Sequence, residues 1–249
     1  MQHGSREALL ASALLEAADT LSDSFDAERY LQRVSDHCVE IVGARAAGIM
    51  LIDGGEAVSL AASSRQQDVA LDLLAVQHLG GPCLDSYGTG RPVPPVSIGA
   101  AHAASRWPDF TQRALRHDIA ATFAVPLRRR ESLLGALNVF APALPDHHAP
   151  PEEHWSVRLA QVLADAAAVG LQNHRLYAQY RALTGQLQVA LSSRVRIEQA
   201  KGMLAERWGT GADRAFRTLR QHARRHRLPL EEVVAGVIDG SVDPCGPGD

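Results

Sequence analysis

The spacing of apolar residues divides the first 142 residues into alternating helical and extended segments. Four segments repeat apolar residues every three or four positions, the period of a helix that buries one face: 6–22, 31–42, 67–79 and 107–118. Four apolar runs predict strands, in two hairpin pairs: 46–53 with 57–64, and 119–130 with 131–142. Hairpin pairs with helices between them predict an α+β fold, in which helices cover one antiparallel sheet.

The segment between the two hairpins is rich in glycine and proline. Residues 80–95 are therefore predicted as a loop with one helical turn. Pro94 and Pro95 open a short predicted strand, 94–100. Because proline cannot donate a ladder hydrogen bond, we expect this strand at the edge of the sheet.

Residues 152–208 are predicted to form one very long helix, because no proline interrupts the helical pattern. Apolar or interface-like residues recur there at alternating steps of four and three, which is the 3.5-residue average of a coiled-coil seam. The seam positions are Val162, Ala166, Val169, Asn173, Leu176, Tyr180, Leu183, Leu187, Ala190, Arg194, Ile197, Lys201, Leu204 and Trp208. Asn173 is typical of a polar seam residue that fixes register in a parallel dimer. We expect a homodimer through at least Asn173, Leu176, Tyr180, Leu183 and Leu187, with other parts of the helix packed on the chain's own domains.

Two shorter helices follow the long one and complete a C-terminal three-helix bundle. The first of them is predicted to bury Ala215, Phe216, Leu219 and Ala223, and the next to bury Leu230, Val233, Val234, Val237 and Ile238. Thr210 and Asp213 have the spacing of a capping box at the start of the first. Gly202 costs the preceding helix about 1 kcal/mol relative to alanine. We favour close approach of a partner helix over close approach of a bound ligand's backbone as the reason for this glycine.

Charge is distributed unevenly along the chain. Residues 1–180 hold 14 Arg, no Lys and 20 acidic residues, whereas residues 181–240 hold 10 Arg, Lys201 and 6 acidic residues. A basic module on an acidic body is typical of a protein that binds a polyanion, although an excess of solvated arginines explains the count equally well.

Composition narrows the class of protein. The chain has 249 residues, enough for one large or two ordinary domains. The sequence contains no run of about 18 apolar residues, so no membrane span is predicted. The N-terminus lacks the features of a signal peptide. The scattered cysteines Cys38, Cys83 and Cys245 indicate a reducing, cytoplasmic location, with neither disulfides nor a zinc site expected.

No residue set for catalysis or metal binding is expected from the sequence. There is no Ser-His-Asp set with an elbow motif, no phosphate loop before a helix, and no paired carboxylates in a distinctive context. His222 and His226 have helical i,i+4 spacing, and His147 and His148 fall in a polar loop. We expect these histidines to be exposed to solvent or to a bound partner.

The motifs resemble two known families. Residues from about 26 to 175 resemble a GAF domain, a small-molecule-sensing α+β module, in AAGIMLID followed by AVSLAASS, in GPCLDSYGTGRPV, and in IAATFAVPLRRRESLLGALNVFAP. Residues from about 185 to 240 resemble an ANTAR domain. The matching residues are Arg194, Ile197, Ala200, Lys201, Gly202, Leu204, Ala215, Phe216, Leu219, Arg220, Ala223, Leu230 and Val233. Similar proteins are actinobacterial regulators whose ANTAR dimers bind paired stem-loops in nascent RNA and prevent transcription termination.

The resemblance implies a domain organisation and two candidate sites. It implies a GAF-like sensor over 1–175, including the helix 6–22, a connecting helix over 152–208, an ANTAR-like domain over 185–240, and a flexible tail over 241–249. The expected RNA-binding residues are Arg194, Lys201, Arg217, Arg220 and Arg224, because arginine suits both phosphate and splayed bases. In GAF relatives the ligand lies between the sheet and its covering loops, which here implicates Cys83, Tyr87, Trp107 and Phe110. The motif of cyclic-nucleotide-binding GAF domains is absent, and the sequence requires no cofactor.

Three functions are compatible with these features. The leading hypothesis is a cytoplasmic, non-enzymatic, homodimeric transcription antiterminator that senses a small molecule or redox state and binds an RNA stem-loop. The first alternative is a DNA-binding regulator, in which residues 208–212 supply the turn of a helix-turn-helix. The second is a GAF-fold redox enzyme that uses Cys83, with Cys38 as resolving cysteine.

Overall fold

The computed structural model describes residues 2–54, 56–144 and 155–244 and consists of two compact units. The units span Met1–Tyr177 and Ala178–Asp249. The predicted loop with His147 and His148, the start of the long helix at 152–154, and the tail residues 245–249 with Cys245 lie outside the described residues.

The first unit is built on one five-stranded antiparallel sheet with the order β2-β1-β5-β4-β3. Its strands are β1 (Ala46–Asp53), β2 (Glu56–Ala62), β3 (Val93–Ser97), β4 (Ala121–Arg129) and β5 (Ser132–Ala141). The two predicted hairpins are present, and they meet through the pairing of β1 with β5. Strand β3, which contains Pro94 and Pro95, lies at the sheet edge as predicted.

Helices cover both faces of this sheet. They are α1 (Gln2–Ala18), α2 (Ala27–Val42), α3 (Gln67–Ala75), α4 (Pro82–Thr89), α5 (Ile98–Ala103), α6 (Pro108–Arg116) and the first part of α7 (Trp155–Arg207). Side chains alternate across β1, so Ile49 enters one core with α1, α2 and α7. Met50 enters a second core with α3, α4, α5 and α6. The α+β fold inferred from the hairpin pattern is therefore present.

A tyrosine joins three helices in the first core. The hydroxyl of Tyr30 on α2 donates hydrogen bonds to the carbonyl oxygens of Ala17 on α1 (3.0 Å) and Ala167 on α7 (3.4 Å). Burial raises the pKa of Tyr30, so its hydroxyl remains a donor. A side chain at Gly170 would overlap the Tyr30 hydroxyl and the Ala17 carbonyl. Gly170 thus lets α1 and α2 lie directly against α7.

The second unit is a small helical bundle. The C-terminal part of α7 packs with α8 (Ala212–His226) and α9 (Leu230–Asp239). Its fully buried side chains are Ala200, Leu204, Ala215, Leu219, Val233 and Val237. These residues repeat at helical spacing, so each of the three helices contributes one apolar stripe to the core.

Four local features differ from the predictions. Helix α4 has eight residues where one turn was expected, because Pro82 starts it and Gly90, with φ 65°, ends it. Helix α5, capped by the Ser97 hydroxyl, was not predicted at all. The Thr210–Asp213 capping box does not form, since the N-cap of α8 is Gly211, which offers no side chain. The N-terminal helix also ends at Ala18, four residues before the predicted end.

Replacement of Gly170 by alanine should destabilise the sheet-containing unit. The added methyl group would displace Tyr30 or the α1 backbone, at a cost of about 1–3 kcal/mol in free energy of unfolding. Gly185 on the same helix is the matched control, because its Cβ would meet no atom within 4 Å. Gly185→Ala should stabilise by up to about 1 kcal/mol. Urea denaturation of both variants measures the difference, and equal effects would contradict the packing described for Gly170.

Candidate nucleic-acid interface and sensor site

Helix α8 turns its arginines away from the bundle core. Ala215, Leu219 and Ala223 are buried, whereas Arg217, Arg220 and Arg224 are exposed at the intervening helical positions. The helix contains five arginines and a single acidic residue, Asp213. Among the described residues, Arg217, Arg220 and Arg224 form no ion pair with a carboxylate. Their charges are available to an external anion.

Phe216 was predicted as a core residue, and the structure contradicts this. Its side chain is half-buried and lies outside the set of residues that form the bundle core. The Nζ atom of Lys201 lies 5.4 Å from the ring centroid of Phe216, and the guanidinium carbon of Arg220 lies 5.8 Å from it. Both distances are in the range of cation–π contact. Phe216 is therefore an accessible aromatic ring with two cations beside it.

The ring of Phe216 lines an open groove of about 780 Å³ in the C-terminal unit. Helix α7 forms most of the groove, through residues that include Gly185, Val189, Arg194 and Ile197. Three of the five predicted RNA-binding residues thus gather at Phe216, since Lys201 and Arg220 contact its ring and Arg194 shares its groove. Arg217 and Arg224 are not groove-lining residues and extend the basic surface along α8.

Lys201 differs from the other four cations because it has an internal partner. Its Nζ atom donates to both carboxylate oxygens of Glu198 at 2.9 Å, and its side chain is 14% exposed. The aliphatic stem of Lys201 is therefore largely covered, and its charge is partly neutralised. Lys201 is better suited to hold the groove in shape than to bind a phosphate by itself.

Gly202 has a different environment from the one predicted. A Cβ at Gly202 would meet no atom of the described chain within 4 Å, and the residue is exposed. No neighbouring helix of the described chain therefore requires a glycine there. Packing by another helix of the same chain therefore does not explain this glycine, and close approach of a helix from a second copy stays a prediction.

The histidine pair on α8 lies beside the basic surface. The rings of His222 and His226 are 4.3 Å apart. Partial burial lowers the pKa of His222, and the neighbouring charges of His226 and Arg225 lower it further. Within the described residues, no three His, Cys, Asp or Glu side chains are grouped as a metal site.

The four predicted ligand-binding residues lie together in the second core of the sheet-containing unit. Cys83 and Phe110 are fully buried there, Trp107 is 9% exposed, and Tyr87 is half-buried against the same core. The rings of Trp107 and Phe110 meet edge to face, with centroids 6.1 Å apart. The indole Nε1 of Trp107 donates to Asp85 at 3.1 Å, which anchors the ring at the surface of this core.

A buried polar pair on the same sheet face was not predicted. The Thr122 hydroxyl donates to Asn138 Oδ1 at 2.7 Å, and both residues are fully buried. Asn138 Nδ2 has no acceptor among the described residues. The sequence carried a signal for this site, since Asn138 is the one polar residue in the apolar run 133–141.

Comparison with known families decides what these two units are. A model of the GAF domain matches residues 26–172, which is more than half of the chain, and a model of the ANTAR domain matches residues 185–238. The chain belongs to the GAF family. It carries an ANTAR domain at the C-terminal side. Both matched domains are of regulatory types, and the actinobacterial origin expected from the sequence stays a prediction.

Three solved structures are among those similar to this chain. The GAF domain of a phosphoenolpyruvate-protein phosphotransferase from Coxiella burnetii is 18% identical, with 68% of this chain and 96% of that chain covered and a TM-score of 0.48. A domain of a two-component sensor histidine kinase protein from Sinorhizobium meliloti 1021 is 16% identical, with 64% and 99% covered and a TM-score of 0.46. Free methionine-R-sulfoxide reductase from Neisseria meningitidis is 18% identical, with 67% and 92% covered and a TM-score of 0.42. These scores are too low to support an inference about ligand or activity. No curated protein sequence matches the chain.

Four of the five predicted dimer-seam residues lie on the exposed side of α7. Leu176, Tyr180, Leu183 and Leu187 are between 53% and 76% exposed, although each is a large apolar side chain. Asn173 is half-buried, and its Oδ1 accepts a hydrogen bond of 3.3 Å from the Arg129 guanidinium of its own GAF domain.

In the described part of the chain, no helix has the length and apolar character that a bilayer crossing requires.

The two cysteines of the GAF domain are chemically shielded. Burial raises the pKa of Cys38 to about 12 and raises the pKa of Cys83 as well. Cys38 lies in the first core and Cys83 in the second, so the sheet separates them. The backbone N–H of Cys83 donates to Gln77 Oε1 at 2.8 Å, which holds this residue in place.

Alkylation should therefore reach neither of these thiols in the folded protein. Iodoacetamide at about pH 8 is expected to leave Cys38 and Cys83 unmodified, because the reactive thiolate is both scarce and inaccessible. The same treatment in urea should modify both residues, which provides the control. Peptide mass spectrometry gives the extent at each site. Rapid native modification of Cys83 would contradict the burial described for this thiol.

Proposed function

We propose that this chain is a signal-responsive, RNA-binding transcription antiterminator. Its GAF domain senses a small molecule, and its ANTAR domain binds stem-loops in nascent RNA and prevents termination. The protein acts as a cytoplasmic homodimer and catalyses no reaction. The observation that carries the proposal is the exposed arginine face of α8 on a bundle whose core is already complete.

The chemistry of this face favours RNA as the ligand. Arg217, Arg220 and Arg224 follow one another at steps of three and four and so lie on one side of α8. Guanidinium groups bind phosphate in two-pronged geometry and also stack on bases, both of which RNA loops expose. The stripe extends along the helix, whereas a helix-turn-helix reads DNA mainly with residues at the start of its recognition helix.

The arrangement of the thiols supports a role for the GAF domain that is not catalytic. A thiol-dependent reductase needs an accessible nucleophilic cysteine and a second cysteine that can resolve the intermediate. Here Cys83 and Cys38 are buried on opposite sides of the sheet. The GAF domain is therefore proposed to act through binding of a ligand and a change in its packing.

Loss of the arginine stripe should weaken RNA binding and its dependence on salt. In filter-binding titrations, log affinity falls as log salt rises. The triple replacement of Arg217, Arg220 and Arg224 by alanine should make this slope shallower by about 2 to 3. The matched control replaces the exposed GAF-domain residues Arg29, Arg65 and Arg116 and removes the same charge. The control should leave both affinity and slope close to those of the original protein.

Specificity decides between the proposal and its alternatives. The full-length protein should bind a paired stem-loop RNA more tightly than a scrambled RNA of equal length at matched salt. Equal affinity for the two RNAs would reject the antiterminator proposal, because charge alone gives binding without sequence preference. Tighter binding to duplex DNA in competition would instead support the DNA-binding alternative.

The proposed dimer is supported by the apolar stripe on α7. The stripe Leu176, Tyr180, Leu183 and Leu187 has alternating steps of four and three, the spacing of a coiled-coil seam. Contiguous exposed apolar side chains of this kind mark an interaction surface. A second copy in parallel register would bring the same four residues together from both chains.

A charge in the stripe should separate the two copies. Leu183→Asp is expected to shift the protein to monomer at concentrations where the original chain is a dimer, because the interface would bury an unpaired carboxylate. Ala178→Asp is the matched control, since residue 178 lies two positions from both Leu176 and Tyr180 and so faces the other side of the helix. Sedimentation velocity measures both variants. A monomer in the original chain, or equal dissociation by both variants, would contradict the proposed seam.

A further inference from the structure

We infer that Phe216 is the platform on which the ANTAR domain stacks one unpaired base of its RNA loop, with Arg194 and Arg220 at the flanking phosphates. This inference rests on the proposed RNA-binding function and assigns a site within it. Its basis is the convergence of an accessible aromatic ring, three cations and an open groove in one place.

The position of Phe216 on α8 explains why its ring is accessible. The neighbouring residue Ala215 points into the core, and Phe216 lies at the border between the buried and the exposed face. A phenylalanine that served only the core would be buried like Leu219, which is 0% exposed. Phe216 instead lines the groove formed mainly by α7. Every base has a π-face, so a ring in this position can hold a base without reading its edge.

The cations around the ring have different tasks. Lys201 is paired with Glu198, and its Nζ atom lies 5.4 Å from the centroid of the Phe216 ring. Arg220 is exposed and lies 5.8 Å from the ring centroid, so its guanidinium group can reach a phosphate beside a stacked base. Arg194 is exposed and lines the same groove as Phe216. Basic side chains around an aromatic ring are the usual composition of single-stranded nucleic-acid sites.

The carboxylates of the groove favour a base over a phosphate at its centre. Glu198 and Glu231 also line the groove, and Glu198 is already paired with Lys201. Glu231 would repel a phosphate that entered deeply, whereas a neutral base with an amino group is compatible with it. The RNA backbone is thus expected at the arginine-bearing rim, with one base turned inward.

A helix of a second copy is a less suitable occupant. Such a helix would cover Val189 and Ile197, but it would also remove the exposed charge of Arg194 from water. Burial of a charge without a partner is unfavourable and opposes this arrangement. Charge complementarity therefore favours a polyanion in this groove.

Fluorescence and affinity together test the stacked base. A stem-loop RNA is prepared with 2-aminopurine at each loop position in turn, and with an abasic residue at the same positions, for use with the full-length protein. At one loop position, binding should quench 2-aminopurine in the original chain and in Phe216→Trp, and not in Phe216→Leu. Phe216→Leu should bind the intact loop about 5- to 150-fold more weakly, as expected for loss of one stacking contact. The abasic RNA should bind both proteins with equal affinity.

Other outcomes would overturn the inference in distinguishable ways. If Phe216→Leu binds intact RNA as tightly as the original chain, or loses as much affinity for abasic RNA, Phe216 holds no base. If the variant changes the oligomeric state and leaves RNA affinity unchanged, the groove belongs to a second copy. If the original chain does not prefer stem-loop RNA, the proposed function fails together with this site. Circular dichroism of both variants confirms that the bundle is folded.

Discussion

The structure depends on helix α7, which is buried in a core near each end and exposed in its middle. Residues such as Ala160 and Leu171 belong to the first core of the GAF domain, and Ala200 and Leu204 belong to the ANTAR core. Every residue from 178 to 192 is exposed. An isolated helical segment of about 15 residues is marginal in water unless packing stabilises it. The leucine stripe in this segment supplies an apolar surface through which a second copy can provide that packing.

This arrangement resolves a conflict in the sequence pattern. The predicted seam continues through Arg194 and Lys201, two of the residues expected to bind RNA. In the structure, Leu204 is buried in the bundle and Lys201 contacts Phe216 of the same chain. The C-terminal end of the seam pattern therefore serves the ANTAR core. Dimer contacts are proposed for the middle of α7, which leaves the basic surface of the bundle available to RNA.

The sequence pattern predicted strands and the long helix well, because burial there follows a simple period. Strand β1 is buried at seven of its eight positions, which a continuous apolar run indicates directly. Helix α4 was missed because its two ends, at Pro82 and Gly90, define it more than any apolar stripe. Phe216 was wrongly predicted as a core residue for a different reason. The helical period locates the centre of the buried face, but the exposure of a residue at its border depends on how far the packed helix extends. The Glu198–Lys201 pair has i,i+3 spacing, but its position beside Phe216 depends on how α7 and α8 pack.

Backbone hydrogen exchange in residues 178–192 tests the account most directly, because these amides belong to the one part of α7 that neither core covers. Mass spectrometry of the concentrated full-length protein can follow this segment as a peptide. If a second copy stabilises the helix through its leucine stripe, these amides should exchange far more slowly than those of an unstructured peptide of the same sequence. Exchange at the rate of the unstructured peptide would mean that the helix opens freely in its middle. Such exchange would contradict the proposed role of α7 as the connection between the sensor and the RNA-binding surface.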